Sequence, residues 1–332
     1  MHSSRVVTRR PFRACGAAIA LSAASLLAIT VTATGCGGKK DADSAATPKT
    51  IDVDGDPLVI LSGAEAVAVG RADAKTIFAT PKLGATVAKF VDAAIPIGAE
   101  AGFVASRDLE SLAFAGYGVT SADAVVVLRG TFDPAKFTEA AEKRAAAGQL
   151  VKSTYSDRTL YTSRNVGVTV LSAKTALAGT EGAIRRTLDR LKTGEAKREF
   201  APWMLATLDT PGAEVAVAAD FTTHPLPEVA VGPFRVTWLK KTKAIRALGD
   251  AKANGLEVAA TATFLDAEGA ESGKAGLTQG LALASIPAAL AHVPMPKDVT
   301  VDVKDVDVQI KGTVEDGTIQ ALLGLLHFAP LR

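Results

Sequence analysis

The chain is poor in the side chains that carry most catalysis and most covalent cross-linking. Its 332 residues include two cysteines, four histidines, two tryptophans and three tyrosines. Both cysteines, Cys15 and Cys36, stand near the N-terminus, so the body of the chain has no partner for a disulfide and relies on its core for stability. Beyond the first turns only His224, His292 and His327 remain, with no His-x-x-x-His spacing and no cysteine beside them, which argues against a zinc site. His292 and His327 read as exposed residues at helix ends. There is no Gly-x-Ser-x-Gly elbow, no Ser-x-x-Lys with its partner motifs, no Gly-x-x-x-x-Gly-Lys-Ser/Thr loop and no Gly-x-Gly-x-x-Gly; Gly116-Tyr117-Gly118 is too short to count. The residue inventory predicts a protein that is not an enzyme and carries no cofactor. The scarcity of aromatics leaves no platform for sugars or bases.

What the chain does have begins at its N-terminus. Arg5, Arg9, Arg10 and Arg13 precede an apolar stretch from Ala14 to about Thr34, and no acid occurs in it. A basic head, an apolar middle and small residues at the end are the marks of a secretory signal. A transmembrane helix is the alternative for about 20 apolar residues, but alanine, serine, threonine and glycine make insertion weak. Ala33-Thr34-Gly35-Cys36 resembles the lipobox of bacterial lipoproteins. The resemblance implies a signal peptide over residues 1–35 and a mature chain acylated at Cys36. Gly37 in place of aspartate implies, by the same likeness, the outer membrane with the protein facing the periplasm. Thr8-Arg9-Arg10-Pro11-Phe12 also resembles a twin-arginine export signal, although Arg13 and Ala14 depart from that pattern. Gly37 to about Thr50 has no large apolar residue and reads as a flexible tether, grouped with the lipidated cysteine as residues 36–54.

Removing the leader takes four arginines and no acids from 37 basic and 35 acidic residues, which leaves about −2. Nucleic acid is therefore not an expected partner. The remainder is long enough for two ordinary domains, expected over residues 55–200 and 201–332. Helices are announced by Thr80-Pro81, Asp133-Pro134 and Thr180, with Gly194 ending the last. Strands are expected over 124–128, 166–170, 175–178, 213–221 and 255–264, and in a hairpin built from Val299, Val301, Val303 and then Val306, Val308, Ile310. Gly179-Thr180 leading to Ile184, Leu188 and Leu191 is echoed by Gly312-Thr313 leading to Ile319, Leu323 and Leu326. The expected fold is α+β, in two related halves, each an antiparallel sheet with helices packed on one face. The Gly130-Thr131-Phe132-Asp133 turn and the late hairpin-plus-helix resemble uncharacterised secreted and lipid-anchored bacterial α+β repeat proteins. That likeness implies a domain type and no activity.

Three clusters remain. Asp52-Val53-Asp54-Gly55-Asp56-Pro57 lacks the glycine and the distal glutamate of a calcium loop, so it reads as a polar turn. Asp302 and Asp307 face each other if Lys304-Asp305 is a two-residue turn, a weak candidate for a cation. Over Phe234 to Leu248, Phe234, Trp238, Ile245 and Leu248 share one helical face, with basic residues on the other; as a helix, Arg235, Trp238, Lys240, Lys243 and Arg246 would touch an anionic membrane surface. A surface helix packed on its own sheet is the plainer reading. The expectation is a non-enzymatic, lipid-anchored envelope protein that binds another envelope protein or lipid. The alternatives are a periplasmic carrier with an apolar cavity for lipid or another small ligand, and an enzyme exported with a cofactor by the twin-arginine route.

Overall fold

The computed structural model describes residues 51–94, 97–119, 123–194, 197–231, 234–290 and 294–325. In chain order the elements are α1 (Pro57–Ile60), β1 (Ala68–Ala72), α2 (Ala74–Ala79), α3 (Pro81–Ala94), α4 (Ala105–Asp108), β2 (Leu109–Gly116), β3 (Ala124–Gly130) and α5 (Pro134–Ala146). Then come β4 (Val151–Tyr155), β5 (Arg158–Ser163), β6 (Val166–Val170), β7 (Thr175–Thr180), α6 (Glu181–Thr193), α7 (Pro202–Leu208) and β8 (Val215–Asp220). The last are β9 (Val229–Val231), β10 (Phe234–Val236), a 3-10 turn (Trp238–Lys241), β11 (Thr242–Lys252), β12 (Gly255–Phe264), α8 (Ala267–Leu290), β13 (Lys297–Lys304), β14 (Asp307–Glu315) and α9 (Asp316–Leu325).

Local chemistry sets the helix ends. Asp133 accepts from the backbone N–H groups of Ala135 and Lys136 and places Pro134 at the first turn of α5. Thr180 caps α6, and Gly194 ends it in the left-handed conformation (φ 74°). Alternation sets the strands. In β12, Ala262 and Phe264 are buried on one side while Glu257 and Ala259 are exposed on the other.

The fold is α+β, and its two half-sheets join edge to edge. Twelve strands form one sheet in the order β13-β14-β12-β11-β8-β1-β2-β3-β7-β6-β5-β4, every pair antiparallel. The join is β1 against β8, with Gly70 opposite Val217. Read outward from it, the first half runs Gly70, Phe114, Val126, Ala178 and the second Val217, Ala247, Ala260, Ile310. A common order of elements runs through both: a strand, a hairpin, a helix, a further hairpin, a helix, with α2–α4 and β4–β5 added in the first half and β9, β10 and the 3-10 turn in the second.

Call the side bearing Val69, Val125 and Leu177 the front. Over the first half it is covered by α1, α6 and α7, whose Ile60, Ile184, Leu188 and Leu208 are fully buried against those strands. The back of that half is covered by α2–α4 over Leu112 and Leu128, and by α5 over Tyr161. On the second half α8 covers the back, over Ala262, Phe264 and Val308, and α9 packs against α3. Residues 51–54, grouped with the tether on sequence, are packed into the body. Ile51 is buried, and the carbonyls of Val53 and Gly55 accept from the buried Arg129. Arg190 binds the carbonyl of Val59 at 3.0 Å, the carbonyl of Lys197, and Glu199 at 2.5 Å. It thus fastens the leading segment and the chain between the halves to one helix.

Three more sequence expectations are corrected. Helices pack on both faces of the first half-sheet and not on one, because its strands are apolar on both sides, as Val125 and Val127 on the front and Leu112 and Leu128 on the back show. Phe234 to Leu248 is not a helix. It holds β10, the 3-10 turn and the start of β11, because Thr242 onward is hydrogen-bonded between β8 and β12 and those ladders outweigh the helical spacing. Asp302 and Asp307 do not face each other. The turn is Asp305-Val306, with Asp305 left-handed (φ 56°), so Asp302 is opposite Gln309 and Asp307 is opposite Lys304. Both registers keep the valines together, and this one replaces a like-charge pair by an opposite-charge pair. In the internal echo the glycine is displaced by one residue, since Ala178 corresponds to Ile310 and sets Gly179 against Lys311, while Glu181 and Asp316 open α6 and α9 and keep Ile184 and Leu188 in step with Ile319 and Leu323.

Candidate interaction surface

The front of the second half differs from every other part of the sheet. Its residues are Arg246, Leu248 and Asp250 on β11; Glu257, Ala259, Thr261 and Thr263 on β12; and alternate positions of β14 and β13. Among the described residues no helix lies on it beyond α7, which touches β11 at its inner margin. Glu257, Ala259, Thr300, Asp302, Lys304 and Gln309 are exposed. Four strands about 4.8 Å apart make a plane of roughly 500 Å², the order of a modest protein–protein contact.

Its charges are mixed, and some are paired with one another. The Asp307 carboxylate accepts from the Thr263 hydroxyl at 2.6 Å and lies 3.7 Å from Arg246. Lys252 lies 3.5 Å from Glu257 and 4.0 Å from Asp250. At the lower end a groove of about 440 Å³ opens between the Thr210–Ala213 loop and the strands, lined by Leu248, Asp250, Glu257, Ala259, Asp298 and Lys311 among others. Such a plane offers hydrogen bonds and shape to another macromolecule, and it holds no nucleophile beside a base.

A second groove, of about 370 Å³, lies on the back beside the Gly130–Asp133 turn. The turn itself is explained by packing. A Cβ at residue 130 would strike the backbone of Asp108, Phe132 stacks on Phe103 at 4.9 Å, and Asp133 caps α5. The two cations there are already paired, Arg107 to Asp108 at 2.6 Å and Lys136 to Asp133 at 3.5 Å.

The basic residues read from sequence are not brought together as a membrane-facing stripe. Arg235 and Lys240 both bind Glu228, each at 3.0 Å, and hydrogen bonds from Arg235 and then Lys240 hold that carboxyl below the ordinary carboxylate range. Arg246 lies on the front near Asp307, Lys243 is exposed at a bulge of β11, and Trp238 packs against Phe264 at 6.2 Å between ring centres. Asp54, in the sequence's polar turn, accepts from Ser172 and Thr175 and lies 3.6 Å from Arg129; these hydrogen bonds, with the Arg129 charge, hold its carboxyl below the ordinary value. His224 is exposed beside the Thr223 hydroxyl. Cys36, His292 and His327 lie outside the described residues. Among the described residues no helix is long and apolar enough to cross a membrane, and no three His, Cys, Asp or Glu side chains are grouped to hold a metal ion. Sequence reasoning missed the bare plane itself. Its signal was the polar phase of β12 and β14, which says which side is wet but not that helices cover the first half and not the second.

Comparison with known proteins gives a fold and no family. No family model matches the chain, and no curated protein matches it. Crystal form I of TP0453 is similar over 81% of this chain and 97% of that one, at 13% identity and a TM-score of 0.50. Crystal form III aligns over 82% and 98%, at 14% identity and a TM-score of 0.48. At such identity the likeness speaks for architecture alone: this chain is similar in fold to TP0453.

Proposed function

We propose that the chain is a non-enzymatic lipoprotein of the bacterial envelope, anchored through acylated Cys36 and facing the periplasm from the outer membrane, and that it works as an interaction module. Its partner is another envelope protein. The observation that carries this reading is the asymmetry of the sheet. The five strands shared by the two halves are sealed by α1, α6 and α7 on the front of the first, and among the described residues no helix beyond the margin of α7 covers the front of the second. Charges of both signs on a plane of this kind suit a reversible protein contact better than a lipid bilayer or nucleic acid.

The test is photo-crosslinking in the producing cell, with a photoreactive residue placed in turn at Thr261 and Gln309 on the front and at Glu139 and Lys143 on α5. The account expects one discrete adduct from the front positions and none from α5. Adducts of equal yield from both sides, or none from the front in a chain that fractionates with the envelope, overturn it.

A further inference from the structure

The groove at the lower end of the bare plane has a counterpart in the first half, and that counterpart is filled. The strand registers set Leu248 and Ala259 where Ala115 and Val125 stand, and Asp250 and Glu257 where Tyr117 and Asp123 stand. In the first half α6 occupies this place. Its Ala183, Ile184 and Leu188 share one buried cluster with Ala115 and Val125, and the helix packs against β3, with α1 beside it over β2 and β3. Its Arg186 pairs with Asp123 at 2.9 Å and lies over the Tyr117 ring at 4.2 Å. In the second half the helix that follows the last hairpin, α9, packs instead against α3, which covers the back of the first half. The place is left as a 440 Å³ groove with an apolar floor at Leu248 and Ala259 and three carboxylates, Asp250, Glu257 and Asp298, against Lys311.

We propose that this groove is a seat for an amphipathic helix of a protein partner, presenting an arginine or lysine to Glu257 and Asp250 as Arg186 does to Asp123. The inference rests on the reading of the bare plane as an interaction surface and names its occupant. The charge of the groove selects a cationic helix. Farther up the plane, Thr261 and Gln309 stand where Val127 and Leu177 are buried in the core that α1, α6 and α7 close. A floor that accepts water suits an occupant that comes and goes. Lys252, half exposed, is a weak competitor for the carboxylates and is displaced at little cost.

The probe is a labelled peptide of residues 180–194, which carries the face that fits the sealed copy of the seat. It is titrated by anisotropy against the full chain purified in detergent. Saturable binding is expected, weakened about tenfold or more when both carboxylates are reversed by Glu257→Lys and Asp250→Lys. The same peptide carrying Arg186→Glu is expected to recover binding to that double variant, which separates a lost contact from a misfolded protein. No saturable binding, or binding indifferent to the double reversal, overturns the proposal. If crosslinks form from Gln309 and Thr261 while the peptide fails, the helical seat falls and the interaction surface stands. If the peptide binds through Glu257 while the front yields no crosslink, the seat stands and the proposed cellular role falls.

Discussion

Gly273→Ala sets a local preference against packing. A methyl group at an interior helical position favours the helix by about 0.8–1.0 kcal/mol over glycine. At residue 273 of α8 the added Cβ would come within 2.9 Å of Cε1 and Cε2 of Phe264, and closer still to Cζ. The ring has nowhere to go: Phe264 is 1% exposed, and its N–H donates to the Val306 carbonyl at 2.8 Å. Overpacking of that kind costs about 1–3 kcal/mol, so the net effect is a loss of about 1 kcal/mol, or about 2 °C in Tm for a chain of this size. Gly182→Ala is the matched control. It also lies in a helix, α6, but its Cβ would meet nothing within 4 Å, so the helical gain of a few tenths of a kcal/mol should appear alone. The assay is urea unfolding followed by far-UV circular dichroism, with the two variants beside the parent. A rise in stability for both would refute the packing of α8 on β12. It would also remove the reason that Trp238, next to the same glycine-rich helix, is a core contact rather than a membrane anchor.

Arg190→Leu should cost about 3 kcal/mol, because it removes the donor from two backbone carbonyls and leaves the Glu199 carboxylate only Lys197 at 3.6 Å, in a place where the arginine side chain is only 4% exposed; a loss under about 1 kcal/mol in urea unfolding would show that the leading segment is held by its apolar residues alone. The Asp54 carboxyl is held below its ordinary 3.8 in the folded chain, so its contribution is fully present above that pH and is lost as pH falls through the lower folded value. Asp54→Asn should therefore flatten the acid limb of a stability–pH curve below about pH 4 and leave its alkaline side unchanged, and a parallel shift at every pH would contradict this. Cys36→Ser should move the protein from the membrane pellet to the soluble fraction and abolish incorporation of labelled palmitate; retention of either in the variant would refute acyl anchoring.

Local chemistry was legible in the sequence. Thr180, Asp133-Pro134 and Gly194 cap helices through contacts within three or four residues, and the alternation of β12 and β14 follows from one buried side. The errors arose where partners are distant. β1 reads Ala-Val-Gly-Arg-Ala, too short and too small-sided to announce a strand, and its partner β8 lies about 147 residues on. The span from Phe234 to Leu248 has helical spacing, but two ladders claim β11 from either side, and both faces of that strand are partly covered. The valine pattern is kept by both registers, so it does not decide between a turn at Lys304-Asp305 and the turn at Asp305-Val306. The bare plane is the hardest case. Its polar residues were visible at Glu257, Thr261 and Thr263, yet whether a helix seals them depends on where α9 goes, and α9 is drawn to α3, more than 200 residues earlier.

The most direct test of the account is the accessibility of the bare plane in the cell. On the proposed reading Cys15 is removed with the leader and Cys36 is acylated, so Gln309→Cys and Lys143→Cys would each provide a single reactive thiol, one on the front and one on α5. The account predicts that Gln309→Cys reacts with a membrane-impermeant maleimide quickly in purified protein and at least about tenfold more slowly in isolated envelopes, while Lys143→Cys reacts alike in both. Equal reactivity of Gln309→Cys in the two settings would contradict it.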